Sequence, residues 1–515
     1  MDEKLGKFID DFAALVQLAQ AGNHKATAGT QLLDALTEHL GLPAEKLAVV
    51  EEQIPPHRFV DADIVLAELT ATDPQGRLVG IGGGGQRHHA SLSDMVQQSQ
   101  LFPQFPLAQP DFVNMAVGPG TLRQAVAFGL RLFSYDGGSL AVLQRAADPR
   151  SGRQSAVLEL VAGTAETGAA FLAEYRRRMD SQSVLQGQVI SLTMGEYGPS
   201  SGGVTFHHRP RLKEQEVVLP SGLLQKVAGH VVGIAGHRQS LREHGQHLKR
   251  GVLLYGPPGT GKTHTVRYLL GQGAGTTAIL LSGGSLARIS EAARIARALQ
   301  PSMVVLEDCD LIAEDRSFGH GPQPLLFEVL DAMDGLDEDA DVAFVLTTNR
   351  PDLLERALAQ RPGRVDLAVE IPLPALAERT GLLRLYSRHA RFSPEALQSA
   401  AERTAGTTAS FARELVRRAV LTAAAAGEAV ADAHLNAAVD ELMADAETLT
   451  RSLLGSAAGT LPSHSPRAAV TRGLPVRPCG YWEPNRNSLA WATAFRKASF
   501  RSVTRCSVSP SAGSR

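Results

Sequence analysis

The chain has 515 residues, of which 43% are hydrophobic and 20% charged, and its formal net charge is −2. This length exceeds what one hydrophobic core normally serves, so about two to four globular domains are expected. The near-neutral charge excludes a general attraction to nucleic acid or anionic membrane. The three cysteines, Cys309, Cys479 and Cys506, are too few for a disulfide framework. They predict a cytoplasmic protein in a reducing compartment.

The N-terminus carries no sign of a targeting signal. It reads MDEKLGKFIDDF, which is acidic and amphipathic, whereas a signal peptide has a basic head before an apolar run. No uninterrupted apolar run approaches the ~18 residues that a membrane-spanning helix needs. The sequence therefore predicts a soluble protein with no membrane segment.

Residues 1–190 predict an N-terminal α/β domain whose role the sequence does not reveal. Helical spacing of apolar residues and short apolar runs define its elements. Helices are predicted at 5–19, 31–40, 121–133 and 169–179, and strands at 65–69, 78–81, 140–143 and 157–161. Four glycines at 82–85 indicate a flexible loop, since no helix start or phosphate-binding lysine follows them.

Residues 191–214 predict a linker, because 198–203 are rich in Gly, Ser and Pro. A helical stretch over about 221–245 follows. His230, His237 and His244 lie seven residues apart on it, which is about 10 Å along a helix for each interval. This spacing favours a polar helix face over a metal site, whose ligands must converge at close range.

From Gly251 onward the pattern changes to apolar runs that alternate with helices. Predicted strands lie at 252–255, 278–281, 303–306, 342–347 and 367–371. Short, continuous apolar runs of this kind are typical of strands buried on both faces. We therefore predict an α/β domain over 215–375, with a parallel sheet sandwiched by helices.

After this α/β domain, residues 376–450 predict a small all-α domain, and 451–515 a basic, disordered tail. Helices are predicted at 378–391, 394–404, 410–426 and 434–447. From residue 455 the chain has nine basic residues and one acidic residue, Glu483. The tail is interpreted as dispensable, and contact with nucleic acid or an acidic partner is the alternative.

The strongest chemical signal lies between the predicted strand 252–255 and a helical run that starts near residue 264. Glycines there allow the backbone to aim consecutive N–H groups at phosphate oxygens, and the helix N-terminus adds its dipole. A lysine reaches the β- and γ-phosphates and a threonine hydroxyl binds Mg²⁺. The predicted ATP- and Mg²⁺-binding residues are Gly256, Pro257, Pro258, Gly259, Thr260, Gly261, Lys262 and Thr263.

Three further elements follow predicted strands or turns nearby. Glu307 and Asp308 end the strand 303–306, where carboxylates hold magnesium and orient the attacking water. Asn349 closes the strand 342–347 and is a candidate to hold that water. Arg361 and Arg364 are candidates to neutralise charge on the transferred phosphoryl group. Each element alone is also explained by ordinary strand-end acids, by turn chemistry or by a basic turn.

Together these motifs resemble the AAA family of the AAA+ superfamily over about residues 215–445. LKRGVLLYGPPGTGKT is similar to its Walker A strand and loop, MVVLEDCDLIAEDR to Walker B, and LTTNRPDLLERALAQRPGRVDLAVEIPLP to its second region of homology. The resemblance implies that Asn349 is the sensor-1 residue and that Arg361 and Arg364 are arginine fingers. It also implies a hexameric ring with ATP at each subunit boundary, and a helical lid over 376–450.

The chain departs from the family pattern at several points. The family's Walker B ends in Asp-Glu, whereas this chain has Glu307-Asp308, which assigns magnesium to Glu307 and the base role to Asp308. The stretch SGGSLARISEAARIARALQ lacks the aromatic residue that ring unfoldases use to grip a chain. In the lid motif, Ala409, Ser410 and Phe411 replace the usual glycine, alanine and acid.

These observations predict an ATP hydrolase that couples ATP turnover to remodelling of a protein or complex. An unidentified protein partner would bind through the N-terminal region. The alternative is a nucleotide-dependent scaffold or switch that hydrolyses ATP weakly, which the Glu307-Asp308 order and the missing aromatic motivate. A nucleic-acid motor is disfavoured, because the loop 331–341 is acidic.

Overall fold

The structure is a computed structural model that describes residues 14, 31–101, 104–192, 203–310, 331–333, 335, 339–352 and 365–444. The predicted helix 5–19, apart from residue 14, and the predicted tail 451–515 lie outside the described residues. Within the described ranges, no helix has both the length and the apolar character needed to cross a bilayer.

The N-terminal region is built on an antiparallel sheet of seven described strands. They are β1 (Val49–Ile54), β2 (Arg77–Ile81), β3 (Leu107–Ala108), β4 (Asp111–Gly118), β5 (Thr121–Tyr135), β6 (Gly138–Arg145) and β7 (Ala156–Ala162). Across the sheet the order is β1-β7-β6-β5-β2-β3, and β4 pairs with β5. The strands predicted at 78–81, 140–143 and 157–161 are confirmed as parts of β2, β6 and β7.

Helices cover both faces of this sheet. They are α1 (Leu32–Leu40), α2 (Phe59–Ala71), α3 (Gln86–His89), α4 (Leu92–Leu101) and α5 (Ala165–Ser181). One face packs against α2 and α5 through buried side chains such as Leu66 and Phe171. The other packs against α1 and α4 through Leu36 and Met95. The predicted helices 31–40 and 169–179 are confirmed by α1 and α5.

Two predictions in this region were wrong. Residues 121–133 were expected to be helical, but they form β5, whose residues 125–133 are almost all buried. A strand that is covered on both faces lacks the alternation of apolar and polar residues seen in a half-exposed strand. Its sequence pattern therefore does not distinguish it from a helix. Residues 65–69 were expected to be a strand, but they lie in α2, which is buried around most of its circumference. A short apolar run does not distinguish a buried helix from a strand.

The second sheet also has seven described strands, and it contains the predicted parallel sheet. Its strands are β8 (Val189–Leu192), β9 (Val204–His207), β10 (Arg250–Tyr255), β11 (Thr277–Ser282), β12 (Ser302–Glu307), β13 (Val342–Thr348) and β14 (Leu367–Glu370). The order is β14-β10-β13-β12-β11-β8-β9. All neighbours are parallel except β8 and β9, which are antiparallel.

The second sheet reaches further towards the N-terminus than residue 215. β8 spans the expected boundary at residue 190 and pairs with β11 from Val189 to Ser191. β9 lies inside the segment 191–214, for which the sequence predicts a linker. This segment therefore supplies edge strands to the sheet, because the backbone groups of β11 that face away from β12 need partners.

Helices sandwich the second sheet, and a helical bundle follows it. The sheet helices are α6 (Leu223–Val231), α7 (Arg238–Glu243), α8 (Lys262–Gln272) and α9 (Ile289–Ala298). The side chains of α9 pack on one face of the sheet, and those of α6 and α8 on the other. The bundle comprises α10 (Leu376–Tyr386), α11 (Pro394–Arg403), α12 (Ala409–Ala426) and α13 (Asp432–Met443), around a core that includes Phe411 and Leu415.

The N-terminal region contacts the second sheet through polar groups at the start of α2. The Asp61 carboxylate accepts hydrogen bonds from the Ser183 hydroxyl at 2.7 Å and the Val184 amide at 2.8 Å. Val184 packs against both the α2–α5 core and the α9 core. His57 lies 3.7 Å from Glu291 of α9. These contacts anchor α2 against the helix that follows β11.

Candidate functional site

The loop between β10 and α8 has a backbone that only glycine adopts readily. Gly256, Gly259 and Gly261 have φ values of 144°, 77° and 116°, which side-chain-bearing residues rarely reach. A Cβ on Gly256 would overlap the carbonyl oxygen of Ile371. Gly261 is the N-cap of α8, whose first residue is Lys262. The loop therefore turns tightly and directs the N-terminus of α8 into the space above the sheet.

Lys262 is 6% exposed and folds back over the loop. Its Nζ donates to the carbonyl oxygens of Gly256 and Pro257, each at 2.8 Å. Burial lowers the pKa of Lys262, while the nearby carboxylates of Asp308 and Asp310 act in the opposite direction. The Lys262 ammonium is held close to the loop by these two carbonyl oxygens. A bound phosphate would replace them, because a phosphate forms stronger, charge-assisted hydrogen bonds with an ammonium than a carbonyl does.

The two predicted magnesium ligands lie together. Thr263 at the start of α8 lies close enough to Glu307, at the end of β12, for its side chain to act on the pKa of the Glu307 carboxyl. Burial raises that pKa, and the Thr263 side chain acts in the opposite direction. A hydroxyl and a carboxylate oxygen are hard ligands of the type that Mg²⁺ prefers. The donor set therefore fits a magnesium ion.

Asp308 sits directly beyond β12 in a left-handed backbone conformation, with φ of 52°. Its amide donates to the Thr347 hydroxyl at 3.0 Å, and the next amide, of Cys309, donates to the Thr347 carbonyl at 2.9 Å. These bonds to β13 fix the backbone at a turn that is uncommon for a residue with a side chain. The carboxylate of Asp308 thereby lies near Lys262, on whose pKa it acts.

Asn349 lies just beyond β13 and is held by a residue that sequence reasoning missed. The carboxylate of Asp310 accepts hydrogen bonds from the Asn349 amide at 3.2 Å, from its Nδ2 at 3.3 Å and from the Thr348 hydroxyl at 3.1 Å. Asp310 is 8% exposed. The only sequence signal for it was an acid two residues after Asp308, which alone does not distinguish a structural aspartate from a functional one.

The helical bundle touches the glycine-rich loop directly. The Ser410 amide, in the first turn of α12, donates to the Gly259 carbonyl at 3.1 Å. A Cβ on Gly259 would lie 3.1 Å from the Thr408 hydroxyl and 3.0 Å from that of Ser410. The bundle therefore covers the loop from one side, as the predicted lid should.

The structure gathers most of the predicted site residues at the carboxyl edge of the second sheet. Its glycine-rich loop, Glu307, Asp308 and Asn349 follow the neighbouring strands β10, β12 and β13. Arg361 and Arg364 lie outside the described residues, so their roles stay predictions. In the described parts of the chain, no three His, Cys, Asp or Glu side chains form a group suited to a metal ion.

A parallel sheet with a glycine-rich loop between its β10 strand and the α8 helix defines a P-loop nucleotide-binding domain. Ligands of such sheets bind beyond the carboxyl ends of the strands, which is where these polar groups meet.

Comparison with known proteins identifies the type of domain to which this sheet is similar. Residues 252–373 match the family model for the AAA family, the ATPases associated with various cellular activities. This segment of the chain is therefore similar to AAA domains, and the predicted P-loop α/β fold is confirmed.

Several bacterial relatives share this part of the chain. Proteins named ATP-dependent zinc metalloprotease FtsH from Acidimicrobium ferrooxidans and Acidothermus cellulolyticus are 31% and 33% identical over 269 and 236 residues. FtsH 3 from Sphaerobacter thermophilus is 31% identical over 280 residues. These matches cover 47%, 42% and 51% of this chain. The chain spans only 40%, 35% and 56% of those proteins, respectively.

Proposed function

We propose that this protein hydrolyses ATP and uses the conformational change to remodel a protein or a protein complex. The observation that carries the proposal is the buried Lys262, which folds over the glycine-rich loop beside Thr263, Glu307 and Asp308. It places a phosphate-binding loop, a pair of magnesium-type ligands and a second carboxylate at one sheet edge. ATP is the expected substrate and Mg²⁺ the expected metal ion.

Each group at this edge has a distinct task in the proposal. The amides at the start of α8 and the Lys262 ammonium bind phosphate oxygens. Thr263 and Glu307 hold Mg²⁺, which supplies charge neutralisation at the phosphates. Asp308 accepts the proton of the attacking water, and the Asn349 side chain orients that water. Arg361 and Arg364 of a neighbouring subunit stabilise the charge that develops during phosphoryl transfer.

The active assembly in this proposal is a homo-oligomeric ring, expected to be a hexamer in the cytoplasm. The small cysteine content supports that compartment. The N-terminal region recruits the protein partner, because it carries a separate core and His57, just before α2, lies beside Glu291 of α9. The 515 residues contain no His-Glu-x-x-His sequence, the zinc motif of metalloproteases, and the proposal concerns the ATPase activity alone.

The test is the specific ATPase activity of the full chain across a range of protein concentrations. Wild-type activity should rise steeply with concentration, since arginines from a neighbour complete each site. Lys262→Ala should abolish turnover, and Arg364→Ala should abolish turnover while ATP binding persists. ATP binding without turnover at every concentration would refute the hydrolase proposal.

A second candidate is a scaffold or switch that binds ATP, assembles and hydrolyses it slowly. The Glu307-Asp308 order favours it, because an aspartate base reaches about 1.5 Å less far than a glutamate, and placement affects rate steeply. The double variant Glu307→Asp, Asp308→Glu distinguishes the candidates. A scaffold should gain turnover markedly, whereas an enzyme built around this order should lose it. ATP-dependent assembly, followed by sedimentation, is the matching readout.

A further inference from the structure

The buried carboxylate of Asp310 makes more contacts with the end of β13 than a strand-end acid needs. It accepts from three donors on two consecutive residues: the Thr348 hydroxyl, the Asn349 backbone amide and the Asn349 Nδ2, at 3.1 to 3.3 Å. Thr348 is fully buried, and its hydroxyl also accepts the Arg350 amide at 3.0 Å. The backbone on both sides of Asn349 is therefore tied to one carboxylate.

This arrangement selects one orientation of the Asn349 amide. The two ends of an asparagine side chain have nearly the same shape but opposite hydrogen-bonding character. An ionised carboxylate only accepts hydrogen bonds, so it pairs with Nδ2 and rejects Oδ1. The Oδ1 atom then remains on the side away from Asp310, as an acceptor for a group in the site.

We infer that Asp310 is a positioning residue that fixes the Asn349 amide with its oxygen directed into the nucleotide site. The inference rests on the proposed ATP hydrolysis and deepens it. The amide oxygen accepts a hydrogen bond from the attacking water, and Asp308 accepts the proton that this water loses as it attacks. Asp310 acts on the attacking water through Asn349, the residue with which it forms hydrogen bonds.

The test is a double-mutant cycle measured by steady-state ATPase kinetics of the full chain. Asp310→Asn preserves shape but offers Asn349 both a donor and an acceptor, so the amide orientation is no longer imposed. It should lower kcat about 10- to 100-fold, the effect of losing a hydrogen bond to a charged group. KM for ATP should change much less than kcat, because the hydrogen bonds of Asp310 go to Thr348 and Asn349 and not to the glycine-rich loop.

The decisive comparison is made in the Asn349→Ala background. There Asp310→Asn should cause no further loss of kcat, because the residue through which it acts is gone. If the two losses multiply instead, Asp310 acts independently of Asn349 and the inference is overturned. If the wild type itself does not turn over ATP, the proposed function fails as well. Failure of the inference about Asp310 and failure of the proposed ATP hydrolysis are therefore distinguishable.

A matched control and a second variant guard against effects on folding. Asp341→Asn alters an equally buried aspartate at the opposite end of β13, which pairs with Arg250 at 2.8 Å. It should lower stability while kcat stays within about twofold. If Asp310→Asn alone fails to fold, Asn349→Asp is compared with the double variant Asn349→Asp, Asp310→Asn. The double variant restores a donor–acceptor pair and should therefore have a higher kcat than Asn349→Asp. A kcat equal to or lower than that of Asn349→Asp overturns the inference.

Discussion

Two glycines of the P-loop allow backbone strain to be separated from steric overlap. Gly256 and Gly261 both have φ values that side-chain-bearing residues rarely adopt, 144° and 116°. Around Gly261 there is open space, with no atom within 4 Å of a Cβ placed there. At Gly256 the Cβ would overlap the carbonyl oxygen of Ile371. Ile371 cannot retreat freely, because its amide donates to the Tyr255 carbonyl at 2.7 Å.

The cost of an alanine at each position follows from this difference. Gly261→Ala carries the strain of an unfavourable φ alone, about 1–3 kcal/mol. Gly256→Ala carries that strain and also forces β10 and the end of β14 apart, which adds about 1–3 kcal/mol. We therefore expect Gly256→Ala to lower the free energy of unfolding by about 2–6 kcal/mol.

The measurement is urea unfolding of both variants without nucleotide, followed by far-ultraviolet circular dichroism. The midpoint of Gly256→Ala should lie clearly below that of Gly261→Ala, with similar slopes. Both variants should also bind a fluorescent ATP analogue more weakly than wild type. Equal midpoints for the two variants would refute the reasoning, since the overlap with Ile371 would then carry no cost.

Three further predictions concern groups outside the phosphate-binding loop. Burial lowers the pKa of His57 to about 4, so the unfolded chain binds the proton more tightly and stability falls as pH drops from about 6.5 towards 4. His57→Gln should remove about 2 kcal/mol of the difference in unfolding free energy between pH 7.5 and pH 5; an unchanged difference would contradict this. Asp341→Ala leaves Arg250 buried without its carboxylate and should cost about 3–5 kcal/mol in urea unfolding. In contrast, an apolar replacement of both residues should be tolerated much better. Thr408 caps α12 by accepting the Phe411 amide at 3.2 Å, so Thr408→Ala should lower stability by about 1 kcal/mol, and no change would show that the cap contributes nothing.

The P-loop and the sheet that carries it were determined by local sequence. A strand, a glycine-rich turn and a helix start are contiguous, so Gly256 to Thr263 could be assigned from their order alone. The five predicted strands of the second sheet are present as β10 to β14. Strands of a parallel sheet are buried on both faces, so their sequences are continuously apolar and can be recognised without the tertiary structure.

The N-terminal sheet shows where local pattern is insufficient. β5 contains Leu, Ala, Gln and Arg, which suit a helix in isolation. It is a strand because β4, β6 and β2 pair with it and because Arg131 on it finds the buried carboxylate of Asp63 at 2.9 Å. β4 and β6 adjoin β5 along the chain, but β2 and Asp63 lie far from it. Tertiary packing therefore overrides the local preference.

The same distinction holds within the site. The sequence identified Glu307, Asp308 and Asn349 as candidates because each follows an apolar run. It could not show that Asp310 binds Asn349, which lies 39 residues away in the chain. Only the parallel register of β12 with β13 brings their ends together. A hydrogen bond between distant residues depends on strand order and register, and these are properties of the folded sheet.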